Sequence, residues 1–342
     1  MKLQINSESR TPIYKQLVNQ VERAIRSGKA ENGELLPSMN ELADSAGISK
    51  ETVKKAYTIL RDKGLLEARQ GKGFYIMSGN DRHKLKVLVL FDKLSSYKQI
   101  TFNRMLAEIG DRAELTIRLH NQSVDLLEYY LDESLDMYDY YVVSPHFPLD
   151  PVTQKKACRL LHRIPNRKFI MVDHWMPEIK GNYGAVYQDF SMDSYDCLAE
   201  NIDRVRKYSK VNVISLPSSL YQEQIQQAIM KFCTNFDIDV EFHTGITAEI
   251  TRKNELYILL NSQLESSLID LAHISSEKDL SIGSDIGVIS YNESPIHEIV
   301  LGGLTTLSTD FDQMGALVAK MIIENKLSKV KCDFRLTVRS TF

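Results

Sequence analysis

The chain is short of everything that would put it in a membrane or outside a cell. No run in its 342 residues approaches the ~20 apolar residues of a membrane-spanning helix. Its opening, MKLQINSESR, lacks the apolar core of a secretory leader, so export is not expected and a cytoplasmic setting is. Cys158, Cys197, Cys233 and Cys332 lie far apart with no CxxC pair, which argues against a zinc site and for a reducing compartment. Signatures of nucleotide binding and hydrolysis are missing too: there is no GxGxxG, GKS/T, GxSxG or HExxH. The expectation is therefore no enzyme, no cofactor, no metal and no membrane partner.

What is present is an ordinary globular composition, 43% hydrophobic and 25% charged, in a chain long enough for two domains. The net charge of −3 hides an asymmetry. Residues 1–84 hold 15 Lys+Arg against 10 Asp+Glu, and the rest holds 27 against 35. A cationic head on an anionic body points to a polyanionic partner for the head alone.

The head reads as three helices and a hairpin. Residues 11–27 carry apolar residues at helical spacing, opened by Thr11 and Pro12. Ser38 followed by Glu41 is a capping box that starts a second helix, which Gly47 ends. Ser49 caps a third, SKETVKKAYTILRDKG, with Val53, Tyr57 and Leu60 on its buried face. Leu65–Arg69, the turn Gln70-Gly71-Lys72-Gly73 and Phe74-Tyr75-Ile76 then form a β-hairpin with a basic tip. Helix-turn-helix plus such a hairpin is a winged helix, whose third helix suits the major groove of DNA.

PIYKQL, LPSMNELA, GISKETVKKAYTIL and KGLLEARQGKGFYI, in that order, resemble the N-terminal domain of GntR-family transcription regulators over residues 10–77. The resemblance makes Ser38 a phosphate-contacting cap. It puts Lys50, Thr52 and Lys54 at the start of the recognition helix, and Arg69, Gly71, Lys72 and Gly73 at the wing. At Asn40, Lys50 and Lys54 the family usually carries arginine. Lysine is a point charge without arginine's two-pronged fork, so a different half-site is expected.

A polar linker, residues 78–84, separates this domain (1–77) from the rest (85–342). Beyond it, short apolar strands alternate with helices: 86–91, 114–119, 140–144, 168–172, 211–215, 239–242, 257–260 and 285–290 read as strands. Such alternation builds parallel sheets covered on both faces, and 258 residues suit two sheets with a cleft between them. The expected fold is α/β: an N-terminal winged helix-turn-helix and a C-terminal two-lobed, periplasmic-binding-protein-like domain. The end of the chain, from DIGVISYNESPIHEIV through LGGLTTLSTDFDQMGALVAKMIIEN to FRLTVRSTF, resembles the last segment of LacI/GalR regulators. A GntR-type reader on a LacI-type body is similar to arabinose-responsive repressors and fucose-operon regulators.

That resemblance implies a homodimeric regulator of operator double-stranded DNA, a repressor, whose affinity answers to a small sugar such as L-fucose or L-arabinose. Sugar clefts need planar polar groups that bond adjacent hydroxyls and an aromatic face for the C–H surface. Strand ends supply the candidates: Asp92, Ser96, Tyr97, His146, Asp173, Asp189, Asn261 and Asn292, with Trp175 as the stacking platform. Where the LacI family places an arginine, QEQIQQAIM puts Gln226, and the loss of that cation favours a neutral monosaccharide. Two rivals remain open at this stage: an α/β enzyme tethered to DNA, and a DNA-binding protein with no ligand.

Overall fold

The computed structural model describes residues 3, 5, 11–26, 29–77, 84–135, 137–215, 220–260 and 265–342. Two compact units divide the chain, Met1–Leu85 and Lys86–Phe342.

Unit 1 packs three helices, α1 (Ile13–Arg26), α2 (Met39–Ala46) and α3 (Lys50–Asp62), against a small sheet. The Ser38 hydroxyl accepts from the Glu41 amide and the Glu41 carboxylate accepts from the Ser38 amide, so α2 starts where its capping box dictates. Gly47 closes α2 at φ 62°, and Ser49 caps α3 through the Thr52 amide. The wing is β2 (Leu66–Arg69) against β3 (Gly73–Ile76), joined by a turn in which the Lys72 amide reaches the Arg69 carbonyl. Gly71 takes φ 72° there; a Cβ would meet no atom, so the backbone angle is what asks for glycine. A strand not anticipated from the sequence, β1 (Leu35–Leu36), pairs antiparallel with β3. Tyr57 ties α3 to both: its hydroxyl donates to the Pro37 carbonyl at 2.7 Å and its ring meets Phe74 edge-on. Leu17, Val21, Val53, Ala56 and Leu60 are fully buried and form the centre of the core.

Unit 2 holds two six-stranded sheets. The first carries β4 (Leu85–Phe91), β5 (Ala113–Leu119), β6 (Tyr140–Val143), β7 (Phe169–Asp173), β8 (Gly184–Tyr187) and β14 (Lys329–Lys331), in the order β14-β8-β7-β6-β4-β5. The second carries β9 (Lys210–Ile214), β10 (Asp239–His243), β11 (Glu255–Leu259), β12 (Gly287–Tyr291), β13 (Thr305–Thr309) and β15 (Phe334–Thr337), in the order β10-β9-β11-β12-β13-β15. The first sheet, with α4 (Ser96–Ile109), α5 (Val124–Ser134), α6 (Pro151–Leu161) and α11 (Phe311–Glu324), is lobe 1. The second, with α7 (Asp193–Glu200), α8 (Ile202–Val205), α9 (Gln222–Asn235) and α10 (Glu265–Glu277), is lobe 2. The chain crosses between lobes three times, after β8, after β13 and after β14.

Four strands go beyond the sequence reading: β8, β13, β14 and β15. The closing strand β15 runs antiparallel to β13, so the second sheet is not wholly parallel. Between β8 and β9 the chain forms two helices, α7 and α8, which meet at Asn201. In lobe 1, α4 and α11 lie close enough that a Cβ on Gly315 would collide with the Thr101 carbonyl oxygen and sit 2.8 Å from the Arg104 Cβ. That glycine is fixed by helix–helix approach.

Candidate functional site

On unit 1 the residues named for DNA lie on the surface. Lys50, Lys54, Arg69, Gly71, Lys72, Ser38 and Asn40 are exposed, and Thr52 and Gly73 are half-buried. Thr52 spends its hydroxyl on Ser49 at 2.8 Å, and Lys54 has only a loose partner, Glu51 at 3.7 Å. Arg69 pairs with Glu67 at 2.8 Å and lies over the Tyr75 ring, which holds its charge beside the wing. The exposed start of α3 and the wing tip thus offer several ammonium groups not locked into buried pairs.

In unit 2 the strand ends converge. Asp92 follows β4, Ser144 follows β6 and Asp173 ends β7, so three neighbouring strands of one sheet deliver polar groups to one place. Lys98, in the first turn of α4, fills the space between them. Its ammonium donates to Asp92, to the Ser144 hydroxyl at 3.0 Å and lies 3.4 Å from Asp173. The side chains of Asp92, Lys98 and Asp173 are 1%, 3% and 4% exposed. His146 Nε2 lies 2.9 Å from Asp173 Oδ2, the oxygen that Lys98 also approaches, and the Gln188 amide donates to Asp173 Oδ1 at 2.5 Å. Gln188 lies on the crossover after β8 and accepts from Thr309, at the end of β13, so the cluster continues into the connections between lobes.

Burial works to raise the pKa of Asp173, but His146 and Lys98 beside it win and hold it below the ordinary carboxylate range. Burial pushes the Lys98 ammonium down, against the pull of Asp173. It pushes His174 down to about 3 and His120 to about 4, so both stay neutral at pH 7. His120 Nε2 lies 3.0 Å from the Ser144 carbonyl, which only accepts, so this nitrogen carries the proton.

A cavity between the lobes opens onto this cluster. Asp92, Tyr97, His146 and Asn292 line it, and Asp173 stands directly behind. Asn292 has φ 69° and an unpartnered Oδ1 among the described residues; Asp173 has φ 76°. Non-glycine residues held at positive φ on both walls mark backbone that surrounding contacts must enforce. Ser96 lines an adjoining open groove with Tyr97 and Asn292.

Other named residues lie elsewhere. Trp175 packs on the lobe 1 core, its Nε1 donating to the Tyr183 hydroxyl at 3.0 Å and its ring 5.1 Å from Tyr187; it does not line the cavity. Asp189 accepts from the Ser191 amide and holds the crossover turn. Gln226 donates to Ser215 at 2.7 Å instead of facing the cavity. Asn261 lies outside the described residues, as do residues 78–83 of the linker.

The sequence reading missed the aromatic face. Phe190, Tyr221 and His174 stack on one another beside His146, and Phe190 and Tyr221 line the cavity. It also missed Lys98. Although Gln226 stands where the LacI family has arginine, a fixed cation, Lys98, does stand in the cluster, set against two carboxylates. Only folding brings Lys98 to Asp92 and Asp173; the adjacency of two strand-terminal aspartates was the available signal.

A winged helix and a two-lobed α/β body with a polar, aromatic cleft define the class: a winged-helix head and a periplasmic-binding-protein-like body in one chain. Comparison sharpens each half separately. Residues 13–76 match the family profile described as "Bacterial regulatory proteins, gntR family". The transcriptional repressor YtrA of Bacillus subtilis is 39% identical over 74 residues, 22% of this chain and 57% of that protein. The repressor NagR of the same organism is 34% identical over 89 residues, 26% of this chain and 37% of that protein. The chain thus spans little more than half, or less, of these curated relatives. Among solved structures, a LacI-family transcriptional regulator from Lactobacillus casei with bound sucrose is similar at TM-score 0.58 and 12% identity, over 75% of this chain and 99% of that one. The trehalose repressor of Escherichia coli is similar at TM-score 0.58 and 11% identity, over 74% of this chain and all of that one. At such identities the likeness is one of fold.

Proposed function

We propose that this chain is a transcriptional repressor that binds operator double-stranded DNA through residues 1–77 and lets go when a small neutral sugar occupies the cleft of residues 85–342. The carrying observation is the pairing of an exposed basic helix and wing with a cleft built from paired carboxylates, amides and stacked aromatic rings. Lys50, Lys54, Lys72 and Arg69 contact phosphates and supply salt-dependent affinity, while Asn40 and Thr52 face base edges. Two heads read two half-sites in a homodimer, because one small module buries too little surface for tight binding.

In the cleft, Asp92, Asn292 and His146 bond hydroxyls, and the Phe190 ring takes the C–H face. Lys98 is outnumbered by two aspartates, and the exposed Lys93 also lines the cavity; the aromatic face and the acceptor groups of the wall support a polyol effector. The repressor names of the relatives, and the sugars that the structural neighbours hold or are named for, agree with this reading. L-arabinose and L-fucose are the first candidates. The test is fluorescence anisotropy on DNA fragments upstream of the chain's own reading frame. Tight binding relieved by one neutral sugar is expected; tight binding that no neutral sugar changes would overturn the sugar reading.

A further inference from the structure

Tyr221 comes from lobe 2, just ahead of α9, yet its ring lies among side chains of the other wall. It stacks on Phe190 with centroids 4.5 Å and planes 5° apart, lies 4.5 Å from the His174 ring, and meets His146 edge-on at 5.0 Å. Three features set it apart from a core tyrosine. Its φ is +61°, a conformation that a bulky side chain adopts only when other contacts impose it. Its residue is 4% exposed, and its hydroxyl has no hydrogen-bond partner among the described residues. Finally, it helps reduce the cavity to about 80 Å³, well under the roughly 300 Å³ at which small-molecule pockets begin.

The slot around the ring has the chemistry of a ligand seat. One face is aromatic. The rim holds the Asp92 carboxylate, which already takes the Lys98 ammonium, and the Asn292 Oδ1, an acceptor with no donor among the described residues. A flat, uncharged ring with hydroxyls at its edge satisfies face and rim together, which a phenol does only at the face.

We propose that Tyr221 is a built-in occupant of the effector seat: its ring fills the slot that the effector's ring takes, and the effector binds by displacing it. The proposal rests on the sugar-responsive reading above and adds the residue against which the sugar competes. Displacement sets the effector threshold, because apparent affinity falls by the fraction of molecules whose slot is free.

The test uses the full chain, with Tyr221→Ala to empty the slot and Tyr221→Phe to keep the ring without its hydroxyl, each checked for folding by circular dichroism. 4-Methylphenol, the tyrosine side chain as a free molecule, is the first probe. It should raise the thermal midpoint of Tyr221→Ala and leave wild type and Tyr221→Phe unmoved. L-arabinose, L-fucose and D-glucose follow, and any that binds wild type should bind Tyr221→Ala about tenfold tighter or more. A folded Tyr221→Ala protein indifferent to 4-methylphenol overturns the proposal, as does a sugar bound equally or more weakly by it. If the phenol binds and no sugar binds any form, the slot stands and the sugar reading fails, so the two fail separately.

Discussion

Lys98 offers the sharpest perturbation in unit 2. Replacing it with methionine keeps most of the volume and removes the one ammonium that touches Asp92 and Asp173, both almost wholly buried. Breaking a buried ion pair by deleting one partner costs about 3–5 kcal/mol, because the remaining charge stays desolvated and uncompensated. Here two carboxylates are stranded; among the described residues Asp173 keeps His146 and Gln188 and Asp92 keeps the Ser144 hydroxyl, none a fixed cation, so the upper part of that range applies. Trp175 is the sole tryptophan and packs on the core of the same lobe, so its fluorescence in a urea titration follows this lobe. With a urea slope of about 2 kcal/mol/M, the midpoint should fall by about 2 M. The loss should also depend on pH. Without Lys98 the burial that works to raise the Asp173 pKa is opposed chiefly by His146, so the stability this carboxylate supplies above its unfolded pKa shrinks, and the loss fades as pH falls below that value. Adding Asp92→Asn to Lys98→Met should recover most of the loss. A Lys98→Met midpoint within 0.5 M of wild type, by an estimate of about 1 kcal/mol or less, refutes the account of the cluster.

Three further outcomes follow. Gly315→Ala should destabilise lobe 1 by about 1–3 kcal/mol on the same Trp175 urea curve, since the new methyl group meets the Thr101 carbonyl and the Arg104 stem. His120, held neutral with its pKa lowered to about 4, binds a proton when unfolded but not when folded between that value and 6.5. Stability should therefore fall as pH drops from 6.5 towards 4, by on the order of 3 kcal/mol from this residue, and His120→Gln should flatten that limb of a pH-dependent urea series. Lys72→Ala at the wing should weaken binding to all DNA sequences alike and lower the slope of log affinity against log salt by about 1.

The head was largely legible because its signals are local. Ser38 with Glu41, Ser49 and Gly47 act within one turn of their own helix, and the structure has each cap where those residues stand. The two-lobed alternation was legible from apolar strands such as Leu88-Val89-Leu90, all fully buried. The strand β13 was not, because Thr305-Thr306-Leu307-Ser308-Thr309 looks like a polar connection. Its side chains are buried through hydrogen bonds instead: Thr306 to Glu293, Ser308 to the Thr309 carbonyl, Thr309 to Gln188. The cleft was legible only in outline. Asp92 and Asn292 could be placed at strand ends, but Lys98 sits in SSYKQI, which reads as the solvated start of a helix. Trp175 was the natural aromatic to choose by rarity, whereas the cavity takes its aromatic face from Phe190 on a crossover and Tyr221 at a helix start. Those positions depend on how the lobes meet, and no local pattern encodes that.

The proposed function requires that the cleft and the winged-helix head, as the operator reader, be energetically coupled. Linkage makes coupling reciprocal: whatever factor the sugar takes from DNA affinity, DNA must take from sugar affinity. Calorimetric titration of the full chain with its effector sugar, alone and saturated with operator duplex, measures that factor from the cleft side. The account predicts weaker sugar binding in the presence of the duplex, by the same factor that the sugar imposes on DNA; one sugar affinity for both forms would contradict it.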